Sequence, residues 1–281
     1  MPAIDGALCF ETGGVTLSGE RAGEGTPVVL LHGLTATRRY VVMGSRSLQR
    51  SGHLVASYDA RGHGRSSPAP EPRAYGYELL AADLLAVLDE MQLDRAVLAG
   101  ASMGAHTALA LALSAPERVA GLVLITPSFD PDDPREQSEL ARWDALARGL
   151  REGGVEGFIA AYDLDGVPEA WRATVETVLR QRLSAHEHPL AVADALEAVP
   201  RSHPFERIEQ LGALQTPAVV VGSRDEADPG HPLAVAERYA AAIPGARLVV
   251  EDAALPARSP IAWQGGQLSR VIAELASPSS S

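Results

Sequence analysis

The sequence contains no lysine, no asparagine and only one cysteine, Cys9. Without lysine, the protein cannot use a lysine Schiff base, a pyridoxal attachment site or the lysine of a phosphate-binding P-loop. Without asparagine, it has no N-glycosylation site. A single cysteine permits neither an internal disulfide nor a multi-cysteine metal centre. We therefore expect the protein to work in a reducing compartment.

The chain has 281 residues, with 24 basic and 36 acidic side chains that give a net charge of -12. Nucleic acids and anionic membrane surfaces would repel such a protein, so we expect neither as a partner. A small-molecule substrate fits this charge better. The segment Met1 to Phe10 has neither the basic start nor the apolar core of a signal peptide, which predicts a cytoplasmic location.

Short apolar runs alternate with helical patterns along most of the chain. Runs of this kind are typical of strands buried on both faces of a parallel sheet. Alternation with helices predicts an α/β fold, with a mainly parallel central sheet and helices on both of its faces. The six predicted strands are Pro27 to Leu31, His53 to Tyr58, Ala96 to Ala99, Leu122 to Thr126, Pro217 to Val221 and Arg247 to Val250.

One long stretch, residues 130–210, interrupts this alternation. It contains no convincing strand pattern, and four of its segments have helical spacing or composition. We interpret it as a helical cap inserted into the core. The predicted domains are a core formed by residues 1–129 and 211–276, the cap at 130–210, and a disordered tail at 277–281.

The strongest local signal is Gly100-Ala101-Ser102-Met103-Gly104, which matches the pattern G-x-S-x-G between a strand and a helix. A serine projected from such a tight turn needs small neighbours on both sides. The amino end of the following helix would stabilise developing negative charge. The pattern predicts that Ser102 is a nucleophile; the alternative is a small-residue turn with a capping serine.

Two further segments agree with this prediction. His32-Gly33 ends a strand in a glycine turn, where the backbone amide of Leu34 can join that of Met103 in holding an oxyanion. The segment Asp59 to Ser66, DARGHGRS, follows the next strand. With LHG and GASMGA at these spacings, the chain resembles the α/β-hydrolase fold superfamily. In that family, histidines at the places of His32 and His63 are structural.

The resemblance also implies an acid after a later strand, in a pattern G-x-x-D-x-x-x-P. The segment Gly222 to Pro229 matches this pattern, which places Asp225 in the acid's position. The acid would orient an imidazole and stabilise the imidazolium. Asp228 is the competing candidate, although it could instead cap the helix that follows.

The general base of the family is a histidine after the last strand, but this chain has no histidine beyond His231. The expected position falls near Pro256. His231 keeps the order serine, aspartate, histidine, and it lies at the same edge of the sheet as Asp225. The other candidates are His106 and three cap histidines, all of which also have structural or surface interpretations: His186, His188 and His203. A site without a conventional base is the remaining possibility.

These observations predict a serine hydrolase that cleaves a small ester, lactone or thioester through Ser102. The expected roles are Asp225 as the acid, His231 as the base, and the amides of Leu34 and Met103 as the oxyanion donors. Neither a metal nor an organic cofactor is required. Because the usual histidine is missing, two non-hydrolytic alternatives stay open: a small-ligand-binding protein, and a cofactor-free lyase, cyclase or isomerase.

Overall fold

The computed structural model describes residues 6–133, 136–225, 227–251, 263 and 265–277. Its centre is an eight-stranded sheet in the order β1-β2-β4-β3-β5-β6-β7-β8. The strands are β1 Gly6–Thr12, β2 Val15–Ala22, β3 Thr26–Leu31, β4 His53–Asp59, β5 Ala96–Ala101, β6 Val119–Ile125, β7 Ala218–Gly222 and β8 Arg247–Val250.

The strands from β4 to β8 across the sheet pair in parallel, whereas β2 pairs antiparallel with both β1 and β4. This arrangement confirms the predicted α/β architecture. The hairpin β1–β2 was not among the predicted strands. It turns at Gly13 and Gly14, whose φ angles are 51° and 77°, the left-handed backbone that a two-residue hairpin turn requires.

Eight α-helices accompany the sheet in the described part of the chain. They are α1 Ser47–Arg50, α2 Tyr77–Glu90, α3 Met103–Ser114, α4 Glu136–Ala161, α5 Glu169–Leu183, α6 Pro189–Ala198, α7 Leu233–Ala242 and α8 Gly265–Ala276. Among the described helices, none is both long enough and apolar enough to cross a membrane.

The side chains of the parallel strands alternate between two apolar layers. On one face, Val29 and Leu98 pack in a core with residues of α2, α3 and α7. On the other face, Val28 and Val97 pack with α1 and α8. The strands are buried on both faces, which explains why they read as continuous apolar runs.

A third apolar cluster joins the sheet's upper edge to α4, α5 and α6, which we call the helical insert, residues 136–198. Leu34 and Met103 from the core pack there with insert residues such as Leu146 and Phe158. The insert lies between β6 and β7 in the chain. It therefore covers the edge where the parallel strands end.

Helix α4 folds back on itself. Its backbone leaves the helical conformation at Gly154, with φ 60° and ψ -145°. The two arms touch at a pair of glycines: a Cβ on Gly149 would lie 2.4 Å from the carbonyl oxygen of Gly157, and a Cβ on Gly157 would lie 2.1 Å from that of Gly149. Only glycine fits at either position.

The predicted domain boundaries stay predictions. Helices α4, α5 and α6 lie within the predicted cap, residues 130–210. Of the predicted tail, 277–281, only Ser277 belongs to the described residues.

Candidate active site

Ser102 stands on the turn between β5 and α3 with an unusual backbone. Its φ is 50° and its ψ is -115°, a region that costs a non-glycine residue on the order of 1–3 kcal/mol and that is concentrated at functional sites. The turn is held because the Ser102 N–H donates to the carbonyl of Ile125 at 3.0 Å, while the Ser102 carbonyl accepts from Ala105 at 2.8 Å. The strained conformation lifts this side chain out of the sheet's edge.

The glycines of the G-x-S-x-G pattern are needed because backbones pass very close to them. A Cβ on Gly100 would lie 2.2 Å from the carbonyl carbon of Gly104. A Cβ on Gly104 would lie 2.2 Å from the carbonyl oxygen of Leu31. Any side chain at either position would push α3 away from β3 or β5. The pattern therefore fixes the direction in which Ser102 is presented.

The loop after β3 lies against Ser102. A Cβ on Gly33 would be 3.5 Å from the Ser102 Cβ. The Gly33 carbonyl accepts hydrogen bonds from His32 Nδ1 at 2.8 Å and from the Ala36 N–H at 2.9 Å. The Gly33 carbonyl and the Leu34 N–H belong to the same peptide unit, and in a trans peptide these two groups point in opposite directions. The Leu34 N–H is therefore directed away from His32 and Ala36.

The backbone amides of Leu34 and Met103, both near Ser102, have no acceptor within the described residues. Met103 is the first residue of α3, and amides of a helix's first turn have no partner inside the helix. Both amides are therefore available to an external oxygen. Oxyanion stabilisation requires backbone donors that are free in this way.

His231 and Asp228 form a hydrogen-bonded pair in the loop between β7 and α7. The distance from His231 Nδ1 to Asp228 Oδ1 is 2.8 Å. A turn holds the two residues together, because the His231 N–H donates to the Asp228 carbonyl at 3.1 Å. His231 and Ser102 line the same cavity. The sequence alternative in which Asp228 caps the following helix is wrong, since no side chain caps α7.

The charges around Asp228 keep it ionised. Burial raises the pKa of this carboxyl, but the attraction of His231, its hydrogen bond, and the guanidinium groups of Arg182 and Arg142 outweigh burial and lower the pKa below its ordinary value. An ionised Asp228 must accept the hydrogen bond, so His231 Nδ1 donates. In the neutral imidazole, His231 Nε2 is then left as the proton acceptor.

Asp225 also lines this cavity. Its Oδ1 accepts a hydrogen bond from the Ala227 N–H at 2.9 Å, which shapes the loop that carries Asp228. The structure thus brings Ser102, Asp225 and His231 to one cavity, and the carboxylate that contacts His231 is that of Asp228.

The other candidate base close to the turn, His106, is a structural residue. Its Nε2 accepts from the N–H groups of Ser128 and Phe129, both at 3.2 Å, so its Nδ1 donates to the Tyr77 hydroxyl at 3.0 Å. Burial, assisted by His231, lowers the pKa of His106 to about 3. Both of its nitrogens are occupied, and it cannot act as a base at neutral pH.

His186 is buried, which rules out its surface interpretation. Its Nδ1 accepts from the Gly64 N–H at 2.8 Å, and its Nε2 donates to the Thr35 carbonyl at 3.2 Å. His186 belongs to the insert, whereas Gly64 and Thr35 belong to the core. These two hydrogen bonds therefore connect the insert to the core. The position near Pro256, where the family's histidine was expected, lies outside the described residues.

The cavity has a volume of about 290 Å³ and lies between the sheet's edge and the insert. Ser102 also lines an adjoining cavity of about 170 Å³. Sites of this size hold small molecules. The larger cavity is mainly apolar in its walls, and its polar groups include Ser102, Arg142, Tyr162, Arg182, Asp225, Asp228 and His231.

Comparison with known proteins agrees with the fold. The family model described as alpha/beta hydrolase fold matches residues 26–255. The chain belongs to the α/β hydrolase fold family.

Its relatives include several proteins named as enzymes. The chain is 31% identical, over 81% of its length and 80% of the relative, to 2-hydroxy-6-oxononadienedioate/2-hydroxy-6-oxononatrienedioate hydrolase 2 of Pseudomonas putida. A thermophilic esterase from Thermogutta terrifontis, solved with malate bound, is 27% identical, with a TM-score of 0.73 and coverage of 98% of this chain and 97% of that one. Est816, described as an N-acyl homoserine lactone degrading enzyme, is 26% identical, with a TM-score of 0.70 and coverage of 95% and 97%.

Proposed function

We propose that this protein is a serine hydrolase that cleaves a small ester or lactone. Relatives that are named as hydrolases and an esterase support hydrolysis by a member of this family. The observation that carries the finer proposal is the strained backbone of Ser102, which presents a hydroxyl to a cavity that also contains the His231–Asp228 pair.

In the proposed reaction, Ser102 Oγ attacks the carbonyl carbon of the substrate while His231 Nε2 takes the hydroxyl proton. The amides of Leu34 and Met103 hold the negative charge on the carbonyl oxygen. The tetrahedral intermediate then collapses, the bond to the leaving oxygen breaks, and the imidazolium returns the proton to that oxygen. An acyl-enzyme remains on Ser102.

Water then hydrolyses the acyl-enzyme, and His231 again acts first as a base and then as an acid. His231 removes a proton from the water, whose oxygen attacks the acyl carbon, and the acid product leaves as Ser102 recovers its proton. Asp228 orients the imidazole and stabilises its charged form. This assignment differs from that implied by the resemblance, in which Asp225 is the acid, because His231 Nδ1 donates its hydrogen bond of 2.8 Å to Asp228.

The test is the hydrolysis of short 4-nitrophenyl esters by the wild type and by Ser102→Ala. We expect the variant to lose at least about a thousandfold in kcat, and a fluorophosphonate probe to label the wild type once, at Ser102. Unchanged turnover in Ser102→Ala would disprove the proposal. An unlabelled wild type that still binds small esters would favour a ligand-binding function instead.

A further inference from the structure

Arg182 of α5 enters the wall of the Ser102 cavity from the insert. Its Nε atom is fully shielded from solvent and has no hydrogen-bond partner. A buried guanidinium normally has its donors satisfied, since an unpaired charge in a low-dielectric site is costly. Arg182 is thus a cavity-lining cation whose Nε has no hydrogen-bonded acceptor.

A neighbouring arginine on the same helix has a different environment. Arg180 is partly exposed and forms ion pairs with Glu156 at 2.7 Å and with Glu176 at 2.8 Å. Among the described residues, no carboxylate lies within 4 Å of Arg182 in an equivalent pair. Two arginines two residues apart thus have opposite environments, one with carboxylates of the protein and one without.

The surroundings of Arg182 hold its guanidinium in place without satisfying it. Its central carbon lies 5.8 Å from the centroid of the Tyr40 ring, close enough for a cation–π contact. Burial lowers the pKa of Arg182, whereas the charge of Asp228 opposes that shift. Arginine remains charged at neutral pH even so. The guanidinium is thus a cation at the cavity wall, held beside an aromatic ring.

We propose that Arg182 is a binding site for a carboxylate group of the substrate. This inference rests on the proposed function, because the substrate meant is the ester or lactone that Ser102 attacks. The planar guanidinium matches a carboxylate through two parallel hydrogen bonds. Asp225 and Asp228 line the same cavity, and their negative charges favour a singly charged carboxylate over a doubly charged phosphate.

A cavity of about 290 Å³ has room for one small molecule. A ligand that reaches both Ser102 and Arg182 must therefore carry the carboxylate and the scissile bond in the same molecule. Ser102 contributes from the core and Arg182 from the insert, so the substrate would lie between them. The substrate class is then a short ester or lactone with a free carboxylate. Arg182 would set specificity, while the chemistry stays with Ser102.

The experiment uses two esters that differ by one methyl group. One is the mono-4-nitrophenyl ester of adipic acid, which carries a free carboxylate; the other is the same compound with that carboxyl methylated. The variant is Arg182→Gln, and the control is Arg180→Gln, which removes the same charge from the same helix. Release of 4-nitrophenolate gives kcat and KM for each combination.

We expect Arg182→Gln to lower kcat/KM for the carboxylate ester at least tenfold more than for the methylated ester, mainly through KM. Arg180→Gln should change neither value more than twofold. Equal losses on both esters would show that Arg182 only supports the fold. No loss on either would also overturn the proposal.

A binding measurement keeps this inference separate from the proposed function. Calorimetry with adipate on Ser102→Ala, and on the same protein carrying Arg182→Gln, does not depend on turnover. We expect adipate to bind at least tenfold more weakly to the double variant. If adipate binds both equally or neither, the carboxylate site is refuted, whatever the esterase assays show about Ser102.

Discussion

His231 donates a hydrogen bond of 2.8 Å from its Nδ1 to a carboxylate three residues earlier in the chain, Asp228. Both residues lie in the loop after β7, whereas the histidine of related hydrolases was expected after β8. In our proposal, the base His231 and the acid Asp228 therefore both lie in the loop between β7 and α7. The link between His231 and Ser102 is the cavity that both residues line.

The roles of the two acidic residues can be separated by a pair of matched variants. Asp228→Asn should lower kcat on 4-nitrophenyl esters about a hundredfold or more, because the imidazole loses the carboxylate that orients it and stabilises its charged form. Asp225→Asn, which removes a carboxylate from the same loop, should lower kcat less than tenfold. A larger loss for Asp225→Asn would return the acid's role to that residue.

The glycine contacts at the turn predict opposite effects of one substitution at two sites. Gly104→Ala places a Cβ 2.2 Å from the Leu31 carbonyl oxygen, and we expect it to lower the free energy of unfolding by more than about 3 kcal/mol. Gly266→Ala, in α8 with no atom within 4 Å, should raise it by about 0.5–1 kcal/mol. Urea unfolding measures both, and equal values would contradict the packing described here.

Three buried histidines make stability depend on pH. Burial lowers the pKa of His32, His106 and His186 to about 3, with further lowering by His63 for His32 and His186 and by His231 for His106. In the unfolded chain each takes up a proton near pH 6.5. Their contribution is complete above that pH and is lost as the pH falls towards 3.

At pH 5 the loss should be about 2 kcal/mol for each of these histidines, relative to pH 7. His106→Gln removes one of them, so the difference in the free energy of unfolding between pH 7 and pH 5 should shrink by about that amount. Denaturant titrations of both proteins at the two pH values give the difference. If the variant loses as much stability as the wild type, His106 is not the buried neutral group that its contacts indicate.

The link between insert and core through His186 predicts a further stability effect. His186→Leu leaves the Gly64 N–H and the Thr35 carbonyl without their partner, and we expect a loss of about 2–4 kcal/mol. His188→Leu, two residues on and half-buried, should change stability by less than about 1 kcal/mol. Thermal unfolding at pH 7 compares them. Similar shifts in the two variants would mean that His186 does not fasten the insert.

The sequence predicted the parts of this protein that depend on local chain properties. The strand Pro27 to Leu31 was recognised because both of its faces are buried, and it differs from β3 by one residue. The turn at Ser102 was recognised because only glycines tolerate the backbone contacts around it. The hairpin β1–β2 was missed, although the pair Gly13-Gly14 between alternating runs is a hairpin signal.

The sequence did not predict the environments of residues that are surrounded by segments distant in the chain. Arg182 lies on a helix rich in charged residues, where arginines normally face solvent, as Arg180 does. His186 is buried only because the insert packs on the core, far from it in sequence. The pairing of His231 with Asp228, in contrast, spans three residues, and the spacing D-x-x-H was a signal that could have favoured Asp228 over Asp225.

The close contact between Gly149 and Gly157 holds together the two arms of α4, which form part of the cavity wall opposite the sheet. The first arm carries Trp143 and the second carries Phe158, and both side chains line the cavity. Because Gly149 and Gly157 bring the arms into backbone contact, these aromatic rings cannot spread apart. A side chain at either position would force the arms apart, and we expect the cavity between Trp143, Phe158 and the sheet to widen as a result.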